Sequence, residues 1–375
     1  PDGEVIRIRS GEQEHHISAD VAYAVDFYRR VTGDEDFFVR AGAEILFETA
    51  RFWESRAEPG EDGLLHIRHV MGPDEYHEDV EDNAYTNGMA KWNLGTAAEA
   101  AADLEGRYPA SWRRLADRIG LGSDEPRRWR EAAAQLYTGL DPRTGLFEQF
   151  RGYFDLEFID PAAYAGRTLP LDVLLGRERV RRSQILKQAD VLMLIYLLWD
   201  RFSPEVREAN YRYYEPRTGH GSSLSPPVHA ALAARLGRMG EAWRYFRQTA
   251  EIDLTNNMGN VAGGVHLAAQ GGLWQAAVFG FAGLRVAERA GAKGKEGIVL
   301  DPRLPPAWKS LRFVLRWRGR RTVVSVLPPR VRLDGEGEEG ISVAVGDGSA
   351  PEEVTPGRGA LWERGGEGAW RREVA

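Results

Sequence analysis

The chain has 375 residues, 43% hydrophobic and 28% charged, the balance of a globular protein with a real core. Its 49 basic and 56 acidic residues leave a net charge of −7, which argues against a nucleic-acid backbone as partner but leaves room for a local pocket that takes one small anion. With no cysteine, disulfides, zinc–thiolate sites and thiol nucleophiles are excluded, and a cytoplasmic setting is the simpler expectation.

In chain order, Ser18 can cap a helix through Val21, Ala22, Val25, Phe27 and Tyr28. Ala43 to Trp53 forms a second and the alanine-rich stretch Ala84 to Leu104 a third. More helical spacing follows at about 109–119, 125–137, 184–200, 222–237, 239–252 and 273–288. The longest apolar run, Val191 to Trp199, is too short to span a bilayer and reads as part of a buried helix. Gly, Pro, Asp and Asn cluster in the gaps, so the gaps are loops. Helices in series with long loops predict an α/α barrel whose loops shape a pocket at one end.

Near residue 295 the pattern changes. Ile298 to Leu300, Leu311 to Trp317, Arg321 to Val326 and Ile341 to Val345 read as short antiparallel strands between Pro, Gly and Asp turns. The domains are therefore expected at 1–290 and 291–375, with Gly346 to Gly368 loose. No signal peptide opens the chain, and the start at Pro1, just before patterned sequence, predicts that the front of the protein is missing.

Four segments carry chemistry. Val70-Met71-Gly72-Pro73-Asp74-Glu75-Tyr76-His77-Glu78-Asp79 places Asp-Glu on a loop after a Gly-Pro break. Packed carboxylates can raise one another's pKa, which a general acid needs at neutral pH. The neighbours Tyr76, His77, Asn83, Tyr85, Thr86 and Asn87 are hydrogen-bonding types suited to sugar hydroxyls; the bland alternative is a solvated acidic loop. In Thr218-Gly219-His220-Gly221-Ser222-Ser223, a histidine between glycines precedes two hydroxyls at a helix start, an arrangement suited to an anion. Plain N-capping by a serine explains the hydroxyls but not His220. Lys187-Gln188-Ala189-Asp190 opens a helix, where the lysine could simply snorkel. Asn256-Asn257-Met258-Gly259-Asn260, followed by Gly263-Gly264-Val265-His266 and Gly271-Gly272, implies tight loops. The eight histidines form no HxxxH or HExxH pair, which argues against a catalytic metal.

Taken together, HHISADVAYAV (15–25), ARFWESR (50–56), VMGPDEYHEDVEDNAYTNGMAKWNL (70–94), GLFEQFRGYFDL (145–156), KQADVL (187–192), TGHGSSLSP (218–226), GNVAGGVHLAAQGGLWQAAVFGF (259–281) and DPRLPPAWKSLRF (301–313) resemble glycoside hydrolase family 65, the group of maltose, trehalose and kojibiose phosphorylases. The resemblance implies a mainly α fold, an (α/α)6 barrel incomplete here at its N-terminal side, followed by a small antiparallel β domain. It implies Glu75 as general acid, Lys187 and Gln188 as holders of the glucosyl unit, and His220, Ser222 and Ser223 as the phosphate site. No metal or organic cofactor is implied; a disaccharide and inorganic phosphate are the substrates, and relatives are often homodimers. Two departures stand out: Asp79 beside the expected pocket, and the missing front section, which in relatives supplies a Trp-Asp pair at the glucose subsite. An inverting α-glucoside hydrolase of the trehalase or kojibiose hydrolase type is the competing expectation. Its base carboxylate should replace the His220 loop, where the sequence instead has Gly-Ser-Ser. A sugar-binding remnant without activity is the third.

Overall fold

The computed structural model describes residues 7–166, 170–256, 258–286, 297–336, 340–355, 359–366 and 369–373. The chain divides into two compact units, Pro1–Arg29 with Asp34–Gly221, and Arg30–Gly33 with Ser222–Ala375. The domain boundary expected at 290/291 lies outside the described residues.

The first unit is helical. Ile17–Thr32 buries Ala19, Ala22 and Val25, and Ala43–Arg56 buries Leu46, Phe47, Ala50 and Trp53, one stripe each. Ala84–Arg107 is apolar on nearly every side because other helices pack around it, and small alanines let them approach. It starts where the Asn83 side chain accepts the Thr86 N–H at 2.9 Å, an N-cap. Pro109–Ile119 ends at left-handed Gly120, and the Arg51 guanidinium caps that end, donating to the carbonyls of Ile119 and Gly120 while paired with Glu125 at 2.7 Å. Glu125–Gln135 sets Trp129 against Phe47.

Several expectations need correction. The helix expected to follow Ser18 starts at Ile17, so Ser18 lies inside it rather than capping it. A missing front predicts an exposed apolar face around Val25, Phe27 and Phe47; instead Val25 and Phe47 are buried, Phe47 between Trp112 and Trp129, Phe27 is half-buried, and the large apolar side chains exposed on the helix Ile17–Thr32 are Ile17, Val21 and Tyr28. The helix expected over 184–200 runs only from Asp190 to Leu197. The residues before it are extended instead: Leu186 pairs with Thr218 in a parallel bridge, its N–H donating to the Arg217 carbonyl and its carbonyl accepting the Gly219 N–H. A helix not foreseen, Pro204–Tyr214, is capped by Ser203 and led by Pro204; its polar sequence hid the period.

In the second unit Ser225–Arg235 and Met239–Leu254 pack together, with Leu267–Gln275 beside them. A five-stranded antiparallel sheet follows in the order Trp370–Arg372, Ala360–Arg364, Arg330–Gly335, Arg320–Leu327, Leu311–Trp317. A second sheet has the order Arg285–Val286, Ile298–Leu300, Ile341–Val345, Glu352–Val354, with one parallel pair between Ile298–Leu300 and Ile341–Val345. Phe313, Val324, Leu333 and Trp362 of the first sheet and Leu300, Val343 and Val345 of the second share one core. The fold class expected from the sequence, helices and then a small antiparallel β region, is the one observed, with that one parallel pair the exception. The stretch expected to be loose contains the strands Glu352–Val354 and Ala360–Arg364, held by the buried Val354 and Trp362.

Candidate active site

Glu75 stands at the tip of a closed loop. Val70 and Val80 face each other across its neck, each N–H donating to the other's carbonyl, at 3.0 and 2.9 Å. Residues 71–79 therefore protrude as a small Ω-like loop. Its anchor is Asp74, which is only 2% exposed. Asp74 Oδ1 accepts the backbone N–H of Lys187 at 2.8 Å, and Oδ2 faces His77 Nδ1 at 2.6 Å. His77 Nε2 donates to the Ser183 carbonyl at 2.9 Å. The N–H of Asp74 donates to Asp190 Oδ1 at 2.7 Å, and the Asn83 amide donates to Asp190 Oδ2 at 2.6 Å.

Burial pushes the Asp190 carboxyl well above the usual carboxylate range, and the charge of Asp74 adds to the effect. The two donors facing Asp190 work against that shift. Gly72 is required here: a Cβ would lie 2.0 Å from Asp190 Oδ2 and 2.6 Å from Asn83 Nδ2. With Asp74 turned inward, Glu75 turns outward, its side chain 46% exposed, and Oε1 lies 2.9 Å from Lys187 Nζ. The Gln188 amide donates to the Pro73 carbonyl. Lys187, Gln188 and Asp190 thus bracket the acid loop along its length.

The His220 segment runs alongside the same residues. Gly219 N–H donates to the Leu186 carbonyl at 2.7 Å and Gly221 N–H to the Lys187 carbonyl at 3.2 Å. His220, between them, has φ +50°, a left-handed conformation that costs a non-glycine residue about 1 kcal/mol or more. Asp79, on the acid loop, and Asp82 and His69, just outside its neck, are also left-handed. Asp79, the departure noted in the sequence, has its carboxylate 2.9 Å from His69 Nδ1. A Cβ on Gly221 would lie 2.7 Å from Tyr76 Oη and 3.2 Å from Lys187 Cγ.

Between these elements lies a cavity of about 600 Å³, of sugar-binding size. Its lining includes Glu75, Tyr76, Asp172, Arg177, Lys187 and Gly221. Glu75, Lys187 and the turn after His220 are thus brought together. The Gln188 amide donates to the Pro73 carbonyl and braces the loop. Ser222 and Ser223 belong to the second unit, where Ser222 Oγ accepts the Leu224 N–H at 3.2 Å, a turn leading into Ser225–Arg235.

Most of the expected sugar-binding neighbours are used internally. His77, Asn83, Tyr85, Thr86 and Asn87 are buried, and their polar groups serve the loop, the helix cap and Asp20 or Asp82. Tyr76 alone among them lines the cavity. His266 is held by Asp253, 2.6 Å from Nδ1, as a satisfied structural histidine is; Asn257 lies outside the described residues. Among the described residues no group of His, Asp or Glu is placed to hold a metal ion. Sequence reading missed Asp190 and Asp172. The Asp of Lys-Gln-Ala-Asp was visible as a buried carboxylate before an apolar run, whereas nothing local marks Asp172.

Residues 3–275 match the glycosyl hydrolase family 65 central catalytic domain, and residues 294–350 match the C-terminal domain of that family. The chain belongs to glycosyl hydrolase family 65. It is 42% identical over 333 residues to a kojibiose phosphorylase of Halothermothrix orenii, covering 88% of this chain and 42% of that protein. A 1,2-alpha-glucosylglycerol phosphorylase of Bacillus selenitireducens is 39% identical, covering 90% and 44%, and an alpha,alpha-trehalose phosphorylase of Thermoanaerobacter brockii 36% identical, covering 87% and 41%. The chain spans less than half the length of these relatives. A solved structure titled a putative kojibiose phosphorylase from human microbiome superposes with a TM-score of 0.81 at 28% identity, covering 92% of this chain and 46% of that one.

Proposed function

We propose that the protein carrying this chain cleaves an α-glucosidic disaccharide, of the kojibiose, trehalose or maltose type, by inverting phosphorolysis. The observation that carries the reading is the pairing of an outward Glu75 with Lys187 on the wall of a sugar-sized cavity, at the tip of a loop whose adjacent carboxylate, Asp74, is locked inside. The names of the relatives support the reaction type.

Glu75 delivers its proton to the glycosidic oxygen as the bond to the anomeric carbon breaks. Phosphate attacks that carbon from the opposite face and, being an anion already, needs no base. The products are β-glucose 1-phosphate and a free sugar. The Lys187 ammonium, on the same cavity wall, is assigned to the sugar hydroxyls. Gln188, next to Lys187, is assigned to the glucosyl unit as well, its amide also bracing the acid loop at Pro73. His220, with Ser222 and Ser223 next to it in the sequence, is assigned to phosphate. The test is incubation of the full-length protein with kojibiose, trehalose and maltose, with and without phosphate. Glucose 1-phosphate formed only with phosphate supports the reading. Equal glucose release without phosphate would overturn it in favour of an inverting hydrolase.

A further inference from the structure

Each ring hydroxyl of a sugar is a donor as well as an acceptor, so a sugar pocket needs fixed acceptors beside its acid and its ammonium. The cavity beside Glu75 holds a carboxylate that the mechanism above does not use. Asp172 lies in the short helix Leu171–Leu175, on the lining that also includes Glu75, Tyr76, Lys187 and Gly221.

Its position is fixed from two sides. Leu171 is 1% exposed and packs with Ile159, Val180, Ile185 and Tyr76. Leu171 Cδ1 fills the space that a Cβ on Gly219 would occupy, 2.7 Å away, so the helix rests against the glycine turn that carries His220. From the other side Tyr76 Oη donates to Asp172 Oδ1 at 3.3 Å. Burial and the Asp172 charge push the Tyr76 phenol up, so Tyr76 stays a neutral donor. Among the described residues none donates to Asp172 Oδ2, and the carboxylate is only half-buried. A carboxylate held by one oxygen, with the other turned to a cavity that also contains the acid, is the arrangement that recognises a hydroxyl.

We propose that Asp172 is a substrate-binding residue whose carboxylate accepts a hydrogen bond from one ring hydroxyl of the disaccharide, with Tyr76 holding the carboxylate in place. The proposal rests on the reading of the cavity as the site where Glu75 acts on a sugar. It separates Asp172 from a group that only orients Tyr76, because only a hydroxyl acceptor distinguishes substrates by that hydroxyl.

The experiment is steady-state kinetics of the full-length protein and its Asp172→Asn variant on the natural disaccharide and on its set of monodeoxy analogues. On the natural substrate Asp172→Asn is expected to lower kcat/KM on the order of tenfold to a hundredfold, with the KM for phosphate little changed. One deoxy analogue should be penalised on the unaltered protein and not penalised further on the variant, the signature of a lost pairwise contact. Tyr76→Phe should keep most of that analogue's penalty. Asp172→Glu, which retains the charge one methylene further out, should keep part of it, and it takes over the measurement if Asp172→Asn does not fold. Deoxy penalties identical in protein and variant, or disaccharide and phosphate KM rising together, would overturn the assignment. Glu75→Gln measured in parallel tells the two failures apart: if it kills turnover while the deoxy penalties stay put, only Asp172 is misassigned, whereas if it is fully active the sugar-site reading itself has failed.

Discussion

Asp74 and Glu75 are neighbours with opposite fates. Asp74 has a partner on each oxygen and stays inside the loop; Glu75, one residue on, has among the described residues only the Lys187 ammonium as partner and faces the cavity. A proton donor must be able to lose its partner when substrate arrives, and of the two only Glu75 can. Glu75→Gln keeps the shape and removes the proton, so turnover of a natural disaccharide should fall on the order of a thousandfold or more while the fold survives. Glucosyl fluoride, whose leaving group needs no protonation, should be spared in part. Near-normal kcat of the variant on a disaccharide would show that the acid lies elsewhere.

At the scale of elements, the site depends on how tightly the 71–79 loop meets the start of the helix Asp190–Leu197. Gly72 is the contact where nothing larger than hydrogen fits, with Asp190 and Asn83 both against it. Gly72→Ala must displace a buried carboxylate or the amide that satisfies it. We expect a stability loss of about 1–3 kcal/mol from overpacking, read as a lower urea midpoint. Activity should fall further than that loss explains, because the loop that moves carries Glu75. An unchanged midpoint together with an unchanged kcat in the Gly72→Ala variant would mean that loop and helix are not rigidly joined.

At the scale of the whole molecule, stability should respond to acid through a histidine outside the first unit. His229, in Ser225–Arg235, is fully buried beside Tyr245 with Nδ1 donating to the Ser225 carbonyl at 2.9 Å. Burial lowers its pKa to about 4. The unfolded chain binds this proton near pH 6.5 and the folded one does not until about pH 4. The contribution of His229 is thus complete above pH 6.5 and is lost as pH falls toward 4, on the order of 3 kcal/mol in all. His229→Gln removes that titration, so its stability deficit relative to the unaltered protein should shrink between pH 7 and pH 5 in urea unfolding. A deficit that is the same at both pH values would contradict the buried neutral histidine.

Much of this was legible in the residues. Helical period placed the core of Ala43–Arg56, Ala84–Arg107 and Met239–Leu254, and alternation placed Leu311–Trp317, because a one-sided burial pattern is local and repeats along the chain. The Gly-Pro break, the paired acids and the histidine between glycines marked both loops of the site for the same reason. The tertiary structure decided what local pattern cannot carry: which of two adjacent carboxylates turns inward, that Asn83, Thr86 and Asn87 serve the scaffold rather than a sugar, and that Asp172 reaches the cavity. Each depends on a partner far along the chain, such as Asp190 for the N–H of Asp74 or Tyr76 for Asp172. Hydrogen-bond satisfaction of a buried polar group is settled only once that partner has been brought into place.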